Sequence, residues 1–392
     1  MNSIDLVFPY VDCNEPVWQK SYKELRRALD LPSTINNVRF RQWDNLRYLF
    51  RGIENCLPFI RKVHMIVSNL EQVPDWLNTE NVNIVLHKDI IPPKFLPTFN
   101  STTIEMFLGN IPDLADGFIY ANDDTFFLKE RIDEDFFDGD KVKLILKTDS
   151  GSSTMFKKVE RNCIKAIKEY LGIVGGLVRT DYLDFIGDSS TDSSGESGGE
   201  DEEGTFLKFG HTVIPKRKET FLLLSHDLED KIKNSITPFR KEKNFNQYLF
   251  SYYDYYSGNS LDSSLNYKYF TFKDGEYAID KALIVADTIR ERKYDTICIN
   301  DSKDFRSEAE FLAVKKIINN AFEHIFPIPS KYELDTINII EKEFRITQII
   351  DSLVIRVDYS SIEEKRKLAK EIVKAIKSVK GIDDSDDSGD NS

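Results

Sequence analysis

Phe118-Ile119-Tyr120-Ala121-Asn122-Asp123-Asp124 decides how this chain is read. An apolar, aromatic run ends in three consecutive polar residues, two of them carboxylates. A strand buried in a sheet would carry Asp123 and Asp124 to its exposed end. Paired carboxylates there suit a hard divalent cation, which takes oxygen ligands and substrate phosphates. The same triplet also makes good turns, because Asn and Asp bond their own backbone. The residues before it sharpen the choice. Ile4 to Val11 is an apolar, β-branched and aromatic run ending at Asp12. Val63 to Val67 and Val82 to Leu86 are two more, ending at Ser68-Asn69 and His87-Lys88-Asp89. Between the first two, Trp43 to Leu57 carries Leu46, Leu49, Phe50, Ile53 and Leu57 at helical spacing, and Pro58 stops it. Ser101 is expected to cap a helix running to Gly109. Strands alternating with helices predict an α/β fold with a mainly parallel sheet flanked by helices. Ligands in such sheets sit beyond the carboxyl ends of the strands. Asp12 and Asn122-Asp123-Asp124 fall at those ends.

Composition sets limits. The chain has 392 residues, 41% hydrophobic and 12% aromatic, enough for a sizeable core and more than one lobe. Of the net charge of −13, twelve units sit in two runs, Gly187 to Gly204 and Asp383 to Ser392, that hold seven and five acids and no base. The remaining body is near neutral, which argues against a nucleic-acid partner. Both runs have the composition of disordered segments. No window reaches the roughly 18 apolar residues of a membrane span. Met1 to Phe8 lacks a basic n-region and reads as a strand, not a leader. The four scattered cysteines, Cys13, Cys56, Cys163 and Cys298, fit reduced thiols. A cytoplasmic location follows as an expectation, with a membrane face as one place of work. Ser360 and Glu363 open a capping box for Ile362 to Lys380, a basic amphipathic helix suited to docking on its own domain or to peripheral membrane contact.

Several stretches together resemble the Stealth family. Ile4 to Asp12, with Pro16 and Trp18, is similar to its first conserved block. Arg39-Phe40-Arg41, Asp44 to Tyr48, Arg51 to Glu54, Pro58, Ile60 to Lys62, Val73 to Leu77, His87 to Pro92, Leu96 to Ser101, Ile104-Glu105 and Phe118 to Asp124 follow the second in order. His211-Thr212, Pro238-Phe239-Arg240 and Tyr252 to Gly258 resemble the third, and Ile297 to Asp301 the short fourth. Tyr10 stands where the family commonly has Trp, and Asn45 where it usually has Glu. The resemblance implies a glycosyltransferase-A-like core, with a helical C-terminal part. It implies metal-dependent transfer of a hexose-1-phosphate from a UDP-sugar to a glycan hydroxyl, with Mg2+ or Mn2+ as cofactor.

Roles follow as expectations. Asp123, Asp124 and Asp301 are the metal candidates. Arg240 is expected to bind the transferred phosphate, where a guanidinium holds two oxygens at once. His211 is a candidate base or metal ligand, with His226 a weaker alternative. Asp12 is a second candidate catalytic residue or nucleotide contact. Arg39, Arg41 and Arg47 are candidates to grip a diphosphate. Asn100 and Ser101 are expected to shape a phosphate-binding turn, and Asn122 to contact substrate. The aromatic run Tyr248 to Tyr256 either stacks on sugar faces or packs inside. The expected organisation is a core over 1–186 and 205–305, an acidic insertion at 187–204, a helical region at 306–382 and a tail at 383–392. Two rival readings share this pattern, an ordinary glycosyltransferase that releases UDP and a non-catalytic nucleotide-sugar-binding module. The sequence leaves the sugar, the acceptor and the oligomeric state open.

Overall fold

The computed structural model describes residues 3–34, 41–149, 154–173, 206–272, 277–301 and 305–334. The acidic insertion, the helix expected over 362–380 and the tail lie outside these residues. Up to Tyr332 the chain forms one compact unit.

The central sheet is built from the apolar runs. β1 (Ile4–Pro9), β2 (Ile60–Val67) and β4 (Gly117–Tyr120) are short and mostly buried, as strands covered on both faces should be, while β3 (Val82–Leu86), at the sheet edge, is half-buried at Asn83, Ile84 and Leu86. β1 pairs in parallel with β2 and with β4, and β2 in parallel with β3. β5 (Thr125–Phe127) follows β4 after the Asn122–Asp124 turn. Further on, β6 (Phe137–Asp138), β7 (Lys141–Leu144), β8 (Leu146–Asp149) and β9 (Phe206–Phe209) make small accessory pairings. β10 (Ile214–Arg217) joins the central sheet antiparallel to β4, giving the order β10-β4-β1-β2-β3. β11 (Ser260–Asp262) pairs with β7. β12 (Tyr267–Thr271) and β13 (Thr296–Asn300) form a second sheet with β5, ordered β12-β13-β5. The fold is thus α/β with a mixed, mainly parallel central sheet.

Two expected boundaries move. The first helix of the second block runs Leu46–Cys56, not from Trp43, because Asp44 sits at φ 52° in the left-handed region just before it. That helix buries Leu46, Leu49, Phe50 and Ile53, and Gly52 lets it press close: a Cβ there would meet the Phe127 carbonyl at 3.0 Å. The second change is at Asn100, which takes the capping role expected of Ser101. Its side chain accepts from the Thr102 N–H, and the helix it starts, Ser101–Glu105, stops well short of Gly109. The C-terminal helix Glu308–Ile325 begins at a Ser307 cap. It packs into the same core: Phe322 stacks on Tyr48 at 5.3 Å, and Arg51 donates to Glu323 and to the Phe326 carbonyl.

At the amino ends of three strands one carboxylate is shared. Asp5 on β1 is fully buried. It accepts from Arg61 Nε at 2.9 Å and Nη2 at 2.7 Å, contacts His64 Nε2 at 3.0 Å, and accepts from the Ala115 N–H at 2.8 Å. Burial alone would raise the Asp5 carboxyl, but the bonds from His64, Arg61 and Ala115 outweigh it and hold it well below the usual carboxylate range. A carboxyl depressed in the folded state stabilises above its unfolded pKa, about 3.9, and loses that stability as pH falls through and below it. Removing one partner of a buried pair strands the others. Asp5→Ala is therefore expected to cost about 3 kcal/mol in urea unfolding at pH 7, with Arg61 partly in water placing it at the low end. The difference from wild type should shrink as the pH falls below about 4.

Candidate functional site

A cavity of 380 Å³ opens over the carboxyl edge of the central sheet. Sheet order decides what reaches it. β4 supplies Asn122, Asp123 and Asp124, β1 supplies Pro9, Tyr10 and Val11, β2 supplies Ser68 and β3 supplies His87. The second sheet adds its own edge. β13 runs antiparallel to β5, with Cys298 opposite Thr125, and the Ile299 N–H donates to the Asp124 carbonyl at 2.9 Å. This pairing brings Ile299, Asn300 and Asp301 to the wall that holds Asp123 and Asp124.

The opposite wall comes from two loops. Ser101 and Arg240 both line the cavity, and Arg240 Nη2 donates to Ser101 Oγ at 2.7 Å. Asn100 helps to hold these loops together. It is buried, and its amide donates to the Thr237 carbonyl at 3.0 Å and to Asn244 Oδ1 at 3.2 Å, while its oxygen accepts from Thr102. Asn100 therefore does its work behind the surface. Phe99 stacks on Phe239 at 5.7 Å, and the helix Pro16–Ala28 lays Trp18 and Tyr22 edge-on against Phe99. Trp18 itself reaches the cavity.

The electrostatics differ along the edge. Burial, and then the neighbouring Asp124 charge, push Asp123 up to about 7. Asp124 is likewise raised by burial, against the influence of His211 and a hydrogen bond from the Cys298 thiol. Burial lowers His211, so its imidazole is held neutral beside Asp124, edge-on to Tyr269 at 4.8 Å. Among the described residues, donor atoms of Asp124, His211 and Cys298 lie within 4.8 Å of one another. Burial pushes the Cys298 thiol well up, so it stays protonated and donates to Asp124. Two crowded, half-buried carboxylates that resist ionisation are a set of oxygen donors that a divalent cation would relieve. Asp123 and Asp124 fit a hard metal on that ground. Asp301 shares the cavity and lies 3.5 Å from Arg41 Nε.

The remaining candidates scatter. Arg41 lines the cavity, with its guanidinium over the Phe311 ring. Arg47 points elsewhere, over Trp76 at 5.0 Å. Arg39 lies outside the described residues. Asp12 is not among the lining residues; its carboxylate accepts from the Asn14 N–H in the turn before the helix at Pro16. His226 is exposed beside Asp227. The aromatic run Tyr248–Tyr256 is a helix of the core, with Phe250 stacked on Phe221. Trp43, Ser68 and His87 line the cavity without having been singled out from the sequence. The rule that picked out Asp12 and Asp124, polar residues at strand ends, applied equally to Ser68 and His87.

A half-buried acidic pair and two arginines thus share one cavity at the carboxyl edge of an α/β sheet. Comparison with known proteins places it. Stealth protein CR2, conserved region 2, matches residues 39–145, and Stealth protein CR4, conserved region 4, matches residues 287–338. The chain belongs to the Stealth family. It is 28% identical to the capsular polysaccharide phosphotransferase WcwK of Streptococcus pneumoniae over 362 residues, 85% of this chain and 98% of that protein. It is 35% identical to the capsular polysaccharide phosphotransferase cps12A of Actinobacillus pleuropneumoniae over 162 residues, 40% of this chain and 43% of that one. An exopolysaccharide phosphotransferase of Streptomyces coelicolor is 26% identical over 349 residues, 84% of this chain and 33% of that protein. Both matched regions contribute to the cavity, the first through Asp123 and Asp124 and the second through Asp301.

Two outcomes test this geometry. A metal that binds Asp123 must displace its proton. Mn2+ affinity by calorimetry is expected to rise about tenfold per pH unit up to about pH 7 and to level off above it. Asn100→Asp keeps the size of the side chain but replaces its two N–H donors by an acceptor. Facing the Thr237 carbonyl and Asn244 Oδ1, it should cost roughly 1–3 kcal/mol in thermal unfolding.

Proposed function

We propose that this Stealth-family enzyme is a metal-dependent phosphotransferase that moves a hexose-1-phosphate from a UDP-sugar to a glycan hydroxyl in polysaccharide or glycoconjugate synthesis. One observation carries the reading: a single cavity gathers Asp123, Asp124, Arg41 and Arg240 at the edge of the sheet. The phosphotransferase names of the relatives support the reaction class.

Phosphoryl transfer asks for charge stabilisation and in-line positioning more than for covalent chemistry. In this reading Asp123 and Asp124 hold Mg2+ or Mn2+, with Asp301 completing the set. The cation, when bound, supplies neutralisation of the diphosphate. Arg240 grips the phosphoryl group that moves. Its guanidinium is already oriented by Ser101 Oγ, so little order is lost on binding. Arg41 holds the second phosphate. His211, kept neutral by burial, takes the proton of the acceptor hydroxyl, and Asp124 beside it stabilises the resulting imidazolium. The acceptor oxygen forms a bond to the sugar-bearing phosphorus as the bond from that phosphorus to the bridging oxygen breaks, and UMP leaves. Tyr10 and Asn45, the two departures from the family pattern, both line the cavity. They are placed to alter which donor fits and not whether the chain folds. The work is done by a protein in which, among the described residues, no helix is long and apolar enough to cross a membrane. A cytoplasmic location, at a membrane face where glycan precursors lie, accords with this reading.

The product decides. Purified protein with Mg2+ or Mn2+, a panel of UDP-sugars and mixed glycan acceptors is expected to release UMP in an acceptor-dependent way. Asp124→Ala should abolish the release, and Arg240→Lys should lower kcat/KM by about 10- to 100-fold through loss of the two-pronged contact. Release of UDP would assign an ordinary glycosyltransferase. Donor binding with no turnover across the panel would assign a binding module.

A further inference from the structure

The charge of the cavity is unevenly spread. Asp123, Asp124, Asp301 and Arg41 gather at the β4 and β13 side, and Arg240 reaches the cavity from the facing loop beside Ser101. At the β2 and β3 side the wall is neutral. Val67 of β2 is in register with Leu86 of β3, so the next residues, Ser68 and His87, leave the sheet side by side. Both line the cavity, as does apolar Leu46.

These polar groups are not engaged. The Ser68 hydroxyl is buried and has no hydrogen-bond partner among the described residues. His87 is 8% exposed, and no hydrogen bond to its ring occurs among the described residues. Buried polar atoms without partners are uncommon in folded proteins and cost stability unless something else satisfies them. Burial holds His87 at about 4, so near neutrality the ring is uncharged and offers one donor and one acceptor. A second phosphate would meet no positive charge here. A neutral ring with a donor and an acceptor side by side would meet matching groups. By sheet order this end lies two to three strand spacings from β4, about 10–14 Å, which a ribose and diphosphate can bridge.

We propose that His87 and Ser68 read the hydrogen-bonding edge of the donor's nucleobase, a uracil-type ring held against Leu46, while the acidic end holds its diphosphate. The inference rests on the nucleotide-sugar reading above and adds to it the residues that select the base. Hydrogen bonds from the pair fix the ring; they take no part in the transfer itself.

The test is calorimetry on the full chain with Mg2+, using UDP, CDP and inorganic pyrophosphate as probes. His87→Leu, which fills the volume without polar atoms, is expected to weaken UDP by about 10- to 100-fold and leave pyrophosphate unchanged. The preference for UDP over CDP should shrink with it, and Ser68→Ala should give a smaller change in the same sense. His87→Asn, which keeps a donor and an acceptor, should recover part of the loss. Equal losses of UDP and pyrophosphate would reduce His87 to a structural residue and overturn the inference. So would UDP binding that His87→Leu leaves intact, and in that case the nucleotide-sugar reading survives. Wild-type protein that binds none of the three probes would sink the nucleotide-sugar reading itself.

Discussion

The buried carboxylate of Asp5 sets the frame for everything above it. Through Arg61, His64 and the Ala115 amide it joins β1, the start of β2 and the approach to β4 at one end of the sheet. Parallel strands pinned at their amino ends have fixed carboxyl ends. A slip of one residue in β4 would turn its side chains to the other face and carry the Asp123–Asp124 turn with them. The residues of the cavity are thus positioned by an interaction at the far side of the sheet. Asn83 extends the same polar cluster to β3 through His64 Nδ1 at 2.8 Å.

The second constraint is the turn between β4 and β5. β4 belongs to the central sheet and β5 to the smaller one, so Asn122–Asp124 is where the two sheets meet. Both carboxylates are held by backbone that is committed on either side. That explains how a pair of like charges can be kept close and half-buried. The cost, seen in the raised Asp123, is borne by two sheets together. Arg240 and Ser101 approach from separate loops, and only long-range contacts bring them together.

Much of the central sheet was legible because its strands are short, mainly apolar runs and its helix at Leu46 has a clear period. Asp123 and Asp124 were legible for a related reason: a strand that must be buried has to put its polar residues at its end. What was not legible depended on distant partners. The short strands between Phe137 and Phe209 exist by pairing with one another and with Ser260–Asp262, and no local pattern announces that. The aromatic run at Tyr248 looks equally like a sugar platform and a core helix until Phe221 is found against it. Asn100 and Ser101 are adjacent, and nothing local separates the one that fastens loops from the one that faces the cavity. Ser68 and His87 fell within reach of a rule applied only to their neighbours.

The amide of Asn100 joins the segment at Phe99–Thr103 to the segment at Thr237–Asn244, beside the Ser101–Arg240 bond and the Phe99–Phe239 stack. These two pieces of chain are more than 130 residues apart in sequence, yet in shape they form one part. Any attempt to recast this enzyme for a different donor by exchanging loops with a relative must therefore move both segments as a matched set. Grafting one alone would import an asparagine with nothing to hold, or leave the host's own with no counterpart.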